Sequence, residues 1–336
     1  MKPRGRSGLT EQGRGLFAGV PTFVTGATGI VGGWLVRRLL ELGGEVVILL
    51  RDEPAQAVLF RSGDVNRVTR VRGDLENGPL LERILVDYDV RLVFHLGAQT
   101  QVVAAQREPL ATLEANVRGT YQLLEAARRQ ASPPVIIVAS SDKAYGASET
   151  LPYTEGHPLA GRGIYDASKS AADLVATAYA VSYGLPLAIA RCGNIYGGGD
   201  LNWDRIVPGT IRSLLESRQP VLRSDGRPRR DYLYVQDAIT AYLRLAEAVL
   251  SGDGAGEAFN FGHNQPVSVL EIVHELQSIL GRQDLEPIIL GGATHEIPDQ
   301  YLDATKAATR LDWRPTFGLR EGLTETVAWY RDLRAG

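Results

Sequence analysis

An α/β fold, with a parallel, doubly wound sheet and a smaller mixed α/β lobe, is what this sequence predicts, on three observations. Short β-branched runs alternate with segments of helical period through the first half of the chain. A glycine-spaced turn, "GATGIVG", joins the first of those strands to its helix. Beyond about Gly197 the alternation becomes irregular, as expected where a second lobe begins.

The elements follow in order. "PTFVTG" reads as the first strand, and "IVGGWLVRRLLELGG" as its helix, apolar at helical spacing and closed by glycine. "EVVILL", "VRLVFHLG", "PPVIIVAS" and "LPLAIARCGN" are further strands. Between them, "PLATLEANVRGTYQLLEAARRQ" and "YDASKSAADLVATAYAVSYG" predict two long helices, over 105–130 and 164–183. Strands alternating with helices of this length call for right-handed crossovers. "NWDRIVPGTIRSLLES" predicts a helix interrupted by its proline, "YLYVQDAITAYLRLAEAVL" a strand running into a helix, and "EAFNFG" one more strand. "SVLEIVHELQSILG" and "LREGLTETVAWYRDLR" are amphipathic helices. The expected organisation is a flexible arm over 1–20, a Rossmann-type domain over 21–190, and a lobe over 191–336 with segments near 232–262 returning to the first domain.

Composition narrows the function classes. In a chain of 336 residues, 44% hydrophobic and 22% charged residues are ordinary for a globular protein with a sizeable core. A net charge of -3 offers no basic patch for nucleic acid or a membrane surface. The single cysteine, Cys192, cannot form an internal disulfide. The basic start "MKPRGRSGLTEQGRG" lacks the apolar stretch of a secretory signal, so a cytoplasmic location is expected. His95 reads as structural and Cys192 as a small buried residue, and the histidines form no metal pattern.

The first turn carries the first chemistry. Gly26, Gly29 and Gly32 let the backbone turn tightly, approach a pyrophosphate and pack helix on strand, at a helix amino end that favours negative charge. The second strand ends at Arg51 and Asp52; an acid there suits the ribose hydroxyls of NAD and an arginine the 2′-phosphate of NADP, so both cofactors stay open. Asp74 follows the next strand and is placed to face the adenine or to form a turn. Tyr165 and Lys169, in "YDASK", stand four apart on one helix face. A lysine cation there is expected to lower the tyrosine's pKa, so that a phenolate takes a hydroxyl proton near the nicotinamide. Ser141, at the end of a strand, can hydrogen-bond the same substrate hydroxyl.

"TGATGIVG", "HLGAQ", "NVRGT", "SSDKAYG", "YDASK", "RCGNIYGGGD" and "RRDYLYVQDA" run in order from about residue 20 to 320. In this the chain resembles the extended short-chain dehydrogenase/reductase superfamily of nucleotide-sugar enzymes. Carried over motif by motif, the resemblance implies cofactor contacts from Thr28, Ile30, Leu75, Leu96, Ala98, Gln99 and Asn116, besides Tyr165 and Lys169. It implies substrate contacts from Gln99, Ser141, Asn194, Asn202, Arg205, Arg230 and Gln300. Trp203 is open between stacking on the base and a core role. The superfamily also implies a tightly held, regenerated cofactor and a homodimer sealed by four helices, two from each chain.

Within the superfamily, Asp142–Lys143 resembles the CDP-glucose 4,6-dehydratases; 4-epimerases usually carry small or neutral residues there, and dTDP-glucose dehydratases Asp–Glu. A 4-epimerase needs only the tyrosine and cofactor. A 4,6-dehydratase must also remove the C5 proton and protonate the departing C6 hydroxyl. Asp142 is the expected acid, and Lys143 either the base or a cation that stabilises the enolate. The two are expected to point at different atoms, since a direct ion pair would disable both. The alternatives are a 4-epimerase, a dehydratase of GDP, UDP or dTDP sugars, and a non-catalytic dinucleotide-binding protein.

Overall fold

The computed structural model describes residues 15–292 and 297–335. Six strands lead the first half: β1 (Pro21–Thr25), β2 (Glu45–Leu50), β3 (Thr69–Arg72), β4 (Leu92–His95), β5 (Val135–Ser141) and β6 (Leu187–Cys192). The later strands are shorter: β7 (Asn194–Tyr196), β8 (Val221–Leu222), β9 (Arg229–Arg230), β10 (Tyr232–Tyr234) and β11 (Ala258–Phe261). Three more follow, β12 (Val267–Ser268), β13 (Ile288–Ile289) and β14 (Asp299–Gln300). A seven-stranded sheet runs β11-β6-β5-β4-β1-β2-β3, with every pairing parallel. The doubly wound Rossmann-type fold is therefore present.

Alternation along the strands divides the core between two faces. Val24, Ile48 and Ile137 face the helices Ile30–Glu41 and Val235–Leu250, with Leu35, Leu39, Ile239 and Tyr242 buried there. Their neighbours Phe23, Val47, Ile136 and Val138 face the helices Gly78–Asp87, Gly119–Arg128 and Ile164–Tyr183. A third cluster, built on Tyr196, Ile211, Tyr232, Ile272, Leu323 and Tyr330, forms the core of the lobe. There Ser268 and Glu271 close a capping box on the helix Val269–Leu280. Strand β11 pairs with β6, and the helix before it covers the sheet, so 235–261 is part of the Rossmann layer.

Three local expectations need correction. The helix expected over 105–130 is broken into Val102–Arg107, Pro109–Leu113, a π turn at Glu114–Arg118, and Gly119–Arg128. Pro109 pushes Glu108 out of helical backbone, to φ -127 and ψ 66. Conversely, Pro208 does not interrupt its helix, Ile206–Leu215, because it sits in the first turn, where the missing N–H has no intrahelical partner to lose. Residues 17–20 do not belong to the arm expected over 1–20: Phe17 is fully buried in the main core, and the Gly19 amide donates to the Gly43 carbonyl. Residues 1–14 lie outside the described residues.

Candidate active site

The chain steps outward from β1 to β3 and then returns to β4, so a crevice opens at the carboxyl ends of β1 and β4. A cavity of about 440 Å³ occupies it. Gly26 has φ +72, and a Cβ there would lie 2.7 Å from the Gly97 amide nitrogen. A Cβ at Gly32 would collide with the Gly26 carbonyl oxygen. Backbone alone therefore forms this cradle, at the amino end of the helix Ile30–Glu41. Gly26, Thr28, Gly29, Ile30, Gly32, Arg51, Asp52, Asp74, Leu75, Leu96, Ala98 and Gln99 all line the cavity.

Charged side chains gather on one wall of this cavity. Arg51 pairs with Asp52 at 2.9 Å, which raises the pKa of its guanidinium further, and Asp74 and Glu76 line the same wall. The arginine is thus committed to a neighbour inside an acidic rim.

Asn116, Tyr165 and Lys169 are not on that wall. Asn116 is buried in the π turn, a helix irregularity that often marks functional positions. Its Oδ1 accepts from the Gln99 amide at 2.7 Å, and its Nδ2 donates to the Gln99 carbonyl at 3.0 Å and to Ser168 Oγ at 2.8 Å. It therefore ties the cavity wall to the helix that carries Tyr165. Behind it, Thr120 donates to the Asn116 carbonyl at 2.7 Å, so the His95 ring can donate to Thr120 through Nε2 and accept from Thr25 through Nδ1, both at 3.0 Å. Burial, aided by Lys169, lowers the His95 pKa to about 3 and keeps the ring neutral. His95 is a structural residue.

At the end of β5 the chain tightens into a 3₁₀ turn, Asp142–Tyr145, with Ser141 as its N-cap accepting from the Lys143 amide at 3.2 Å. Asp142 is 1% exposed; its Oδ1 accepts from Ser141 Oγ at 3.1 Å, and its Oδ2 is buried without a hydrogen-bond partner. Lys143 turns the other way, its Nζ donating to Gln300 Oε1. Among the described residues no ion pair joins Asp142 to Lys143. Gln300, an expected substrate contact, is fully buried on β14 and meets Lys143.

Tyr165 differs from expectation. Burial and the neighbouring Asp142 push its pKa up to about 12, against Arg205 and a hydrogen bond with Ser141, which lower it. Lys169 is not among the groups that lower it, and its Nζ donates at 2.7 Å to the Ala139 carbonyl. Burial brings the pKa of that amine down to about 8.

A second cavity, of about 600 Å³, opens in the lobe. Asn194, Arg205 and Arg230 line it, together with Trp203. Arg212 lies over the Trp203 ring at 4.9 Å, and Arg218 and Arg223 join the same wall, so five guanidiniums line one concave surface. Asn202 and Gln99, the other expected substrate contacts on a cavity wall, line the first cavity. Ser141 lines neither and works through Asp142 and Tyr165.

Sequence reading passed over the support behind the turn. Arg191 grips Asp173 through two bonds of 2.8 and 2.9 Å, both side chains being buried, and Ser140 donates to the same carboxylate at 2.7 Å. Arg191 also donates to the Tyr145 hydroxyl, which donates to Asn260. An arginine inside the apolar strand "LPLAIARCGN" was the available signal, since a buried charge demands a partner. Cys192 beside it is buried, with its pKa pushed up to about 12 by burial. Among the described residues no cluster of three or more metal-ligating side chains occurs.

A parallel sheet with a backbone glycine cradle at a helix amino end, beside an arginine-lined cavity, is the architecture of a dinucleotide-binding fold. Residues 22–262 match the model of the NAD dependent epimerase/dehydratase family, and the chain belongs to that family. The CDP-glucose 4,6-dehydratase of Salmonella typhimurium is 30% identical, over 95% of this chain and 92% of its own length. The dTDP-glucose 4,6-dehydratase of Streptomyces antibioticus is 32% identical, over 93% and 92%. A dTDP-glucose 4,6-dehydratase structure from Streptomyces venezuelae, solved with NAD, superposes with a TM-score of 0.85 at 28% identity, covering 94% of this chain and 98% of that one. The UDP-glucose 4-epimerase of Thermotoga maritima superposes at 0.84 with 27% identity, covering 93% and 99%.

Proposed function

We propose that this protein is a nucleotide-sugar 4,6-dehydratase that retains NAD and converts CDP-glucose to its 4-keto-6-deoxy form. The observation that carries the reading is the buried, unpartnered Oδ2 of Asp142 beside Ser141 and Tyr165, with Lys143 directed away onto Gln300. An epimerase has no use for a carboxyl in that place, and a dehydratase requires one.

The glycine cradle, Thr28 and Ile30 would hold the pyrophosphate, and the acidic rim of Asp52, Asp74 and Glu76 favours ribose hydroxyls over a 2′-phosphate. NAD held there would supply the hydride acceptor for C4 and the hydride donor for C6. Tyr165, hydrogen-bonded with Ser141, takes the C4 hydroxyl proton as a phenolate, which requires the bound cofactor and substrate to bring its raised pKa down. Asp142 Oδ2 is the oxygen from which the C6 hydroxyl takes its proton as water departs. Lys143 serves C5, as base or as a cation beside the enolate. Arg205 and Arg230 hold the diphosphate, since guanidinium meets phosphate oxygens in pairs.

The choice of CDP-glucose over dTDP-glucose rests on the resemblance of Asp142–Lys143 to the CDP-glucose 4,6-dehydratases. We also infer a cytoplasmic homodimer. Leu174, Val181 and Tyr183 are exposed on the helix Ile164–Tyr183, and Tyr121 on its neighbour Gly119–Arg128, which gives a second copy an apolar seam to cover. The test is mass spectrometry after incubation with an equimolar mixture of CDP-, dTDP-, UDP- and GDP-glucose. The expected result is loss of one water from CDP-glucose first. Unchanged masses throughout would overturn the dehydratase reading, and earlier loss from another donor would overturn the nucleotide assignment.

A further inference from the structure

Asp200 and Arg205 line both cavities, and among the described residues no others do. The Asp200 carboxylate is 6% exposed. Its Oδ2 accepts from Arg205 Nη1 at 2.7 Å and its Oδ1 from the Asn202 amide at 3.1 Å. Arg205 Nη2 donates to the Ile195 carbonyl at 2.7 Å. Two anchors fix the guanidinium plane and leave three of its five N–H donors for a ligand.

The loop itself is held from the far side of the lobe. Tyr330, on the helix Leu319–Ala335, donates to the Asp200 carbonyl at 2.6 Å. Gly198 packs so closely on Trp329 that a Cβ would strike the indole, and Trp34 donates to the Gly198 carbonyl at 2.8 Å. Asp200 is thus fixed through its backbone as well as its carboxylate.

Resting on the sugar-nucleotide reading above, we propose that Asp200 is a positioning residue: it holds Arg205 in the wall between the cofactor and sugar-nucleotide cavities, already oriented to take a phosphate of the diphosphate. Without this carboxylate the arginine must be ordered anew at each binding event, a cost that appears as weaker binding. A role confined to tying the loop would make Asp200 matter for stability alone.

The experiment is a double-mutant cycle read by calorimetry with CDP, dTDP and UDP as probes, on Asp200→Asn, Arg205→Lys and the double variant. Asn keeps an acceptor for the Asn202 amide and loses the charge. Asp200→Asn is expected to weaken binding of the preferred diphosphate about tenfold, and to raise KM more than it lowers kcat. The double variant should bind within about twofold of Arg205→Lys alone, since residues acting as one unit are not additive. If losses multiply, or Asp200→Asn lowers Tm while Kd stays unchanged, the inference fails and the function reading stands. If the wild type binds none of the three probes, both fail. Should Asp200→Asn not fold, Tyr330→Phe removes only the hydroxyl on the Asp200 carbonyl. It is expected to weaken binding about threefold, and to have no effect in the Arg205→Lys background. Unchanged Kd in Tyr330→Phe, or an equal loss in both backgrounds, overturns the inference.

Discussion

Asp142 and Lys143 are neighbours in sequence that a single 3₁₀ turn sends to different partners, one to Ser141 and the other to Gln300. Removing the acid without changing its shape isolates its step. Asp142→Asn is expected to slow water elimination about 10²- to 10⁴-fold while C4 oxidation, followed as reduced cofactor, stays measurable. Equal loss of both steps would contradict the division of labour. His95 supplies a prediction about pH. Its pKa falls from 6.5 to about 3 on burial, so between those values the unfolded chain binds a proton that the fold does not. Stability is unaffected above about pH 6.5 and falls as pH drops toward 3. His95→Gln should therefore lose less Tm than the wild type between about pH 7 and pH 4. Parallel curves would show that another group sets the acid limit.

At the scale of elements, the glycine turn and the helix Ile164–Tyr183 position the site, and their glycines differ in what they tolerate. A Cβ at Gly32 meets backbone that cannot move aside, whereas Gly184, the αL cap of that helix, has open space around it. Gly32→Ala is expected to cost more than about 3 kcal/mol and to abolish NAD binding, against about 1 kcal/mol for Gly184→Ala, measured by denaturant titration. Comparable losses at the two positions would argue against a backbone cradle. The same elements show what could be read from sequence. Strand and helix periodicity marked β1, β2, β4, β5 and β6, because each depends on neighbours a few positions apart. The π turn at Asn116 was hidden, since it answers to Gln99 and Ser168, which lie 17 and 52 residues away. Pro208 looked like a breaker because the helix start, one residue past Arg205, is set by the lobe and not by a local signal.

For the whole molecule, the legible part of the site was its motif residues, and the illegible part was what links them. Arg191–Asp173, Lys143–Gln300 and Asp200–Arg205–Tyr330 join segments whose proximity only the topology creates. Asn202 and Arg205 were placed together by sequence, yet the loop between them turns one to the first cavity and lets the other line both. The exposed apolar residues of the helix Ile164–Tyr183 lead to a statement about assembly. Leu174→Glu with Val181→Glu should convert a dimer into a monomer by light scattering, and an unchanged dimer would place the seam elsewhere. The central claim is that this scaffold expels water from C6 by way of Asp142, and isotope tracing tests it most directly. With CDP-glucose carrying deuterium at C4, the expected product is one water lighter with the deuterium now at C6. A product of unchanged mass, with the deuterium still at C4, would contradict it.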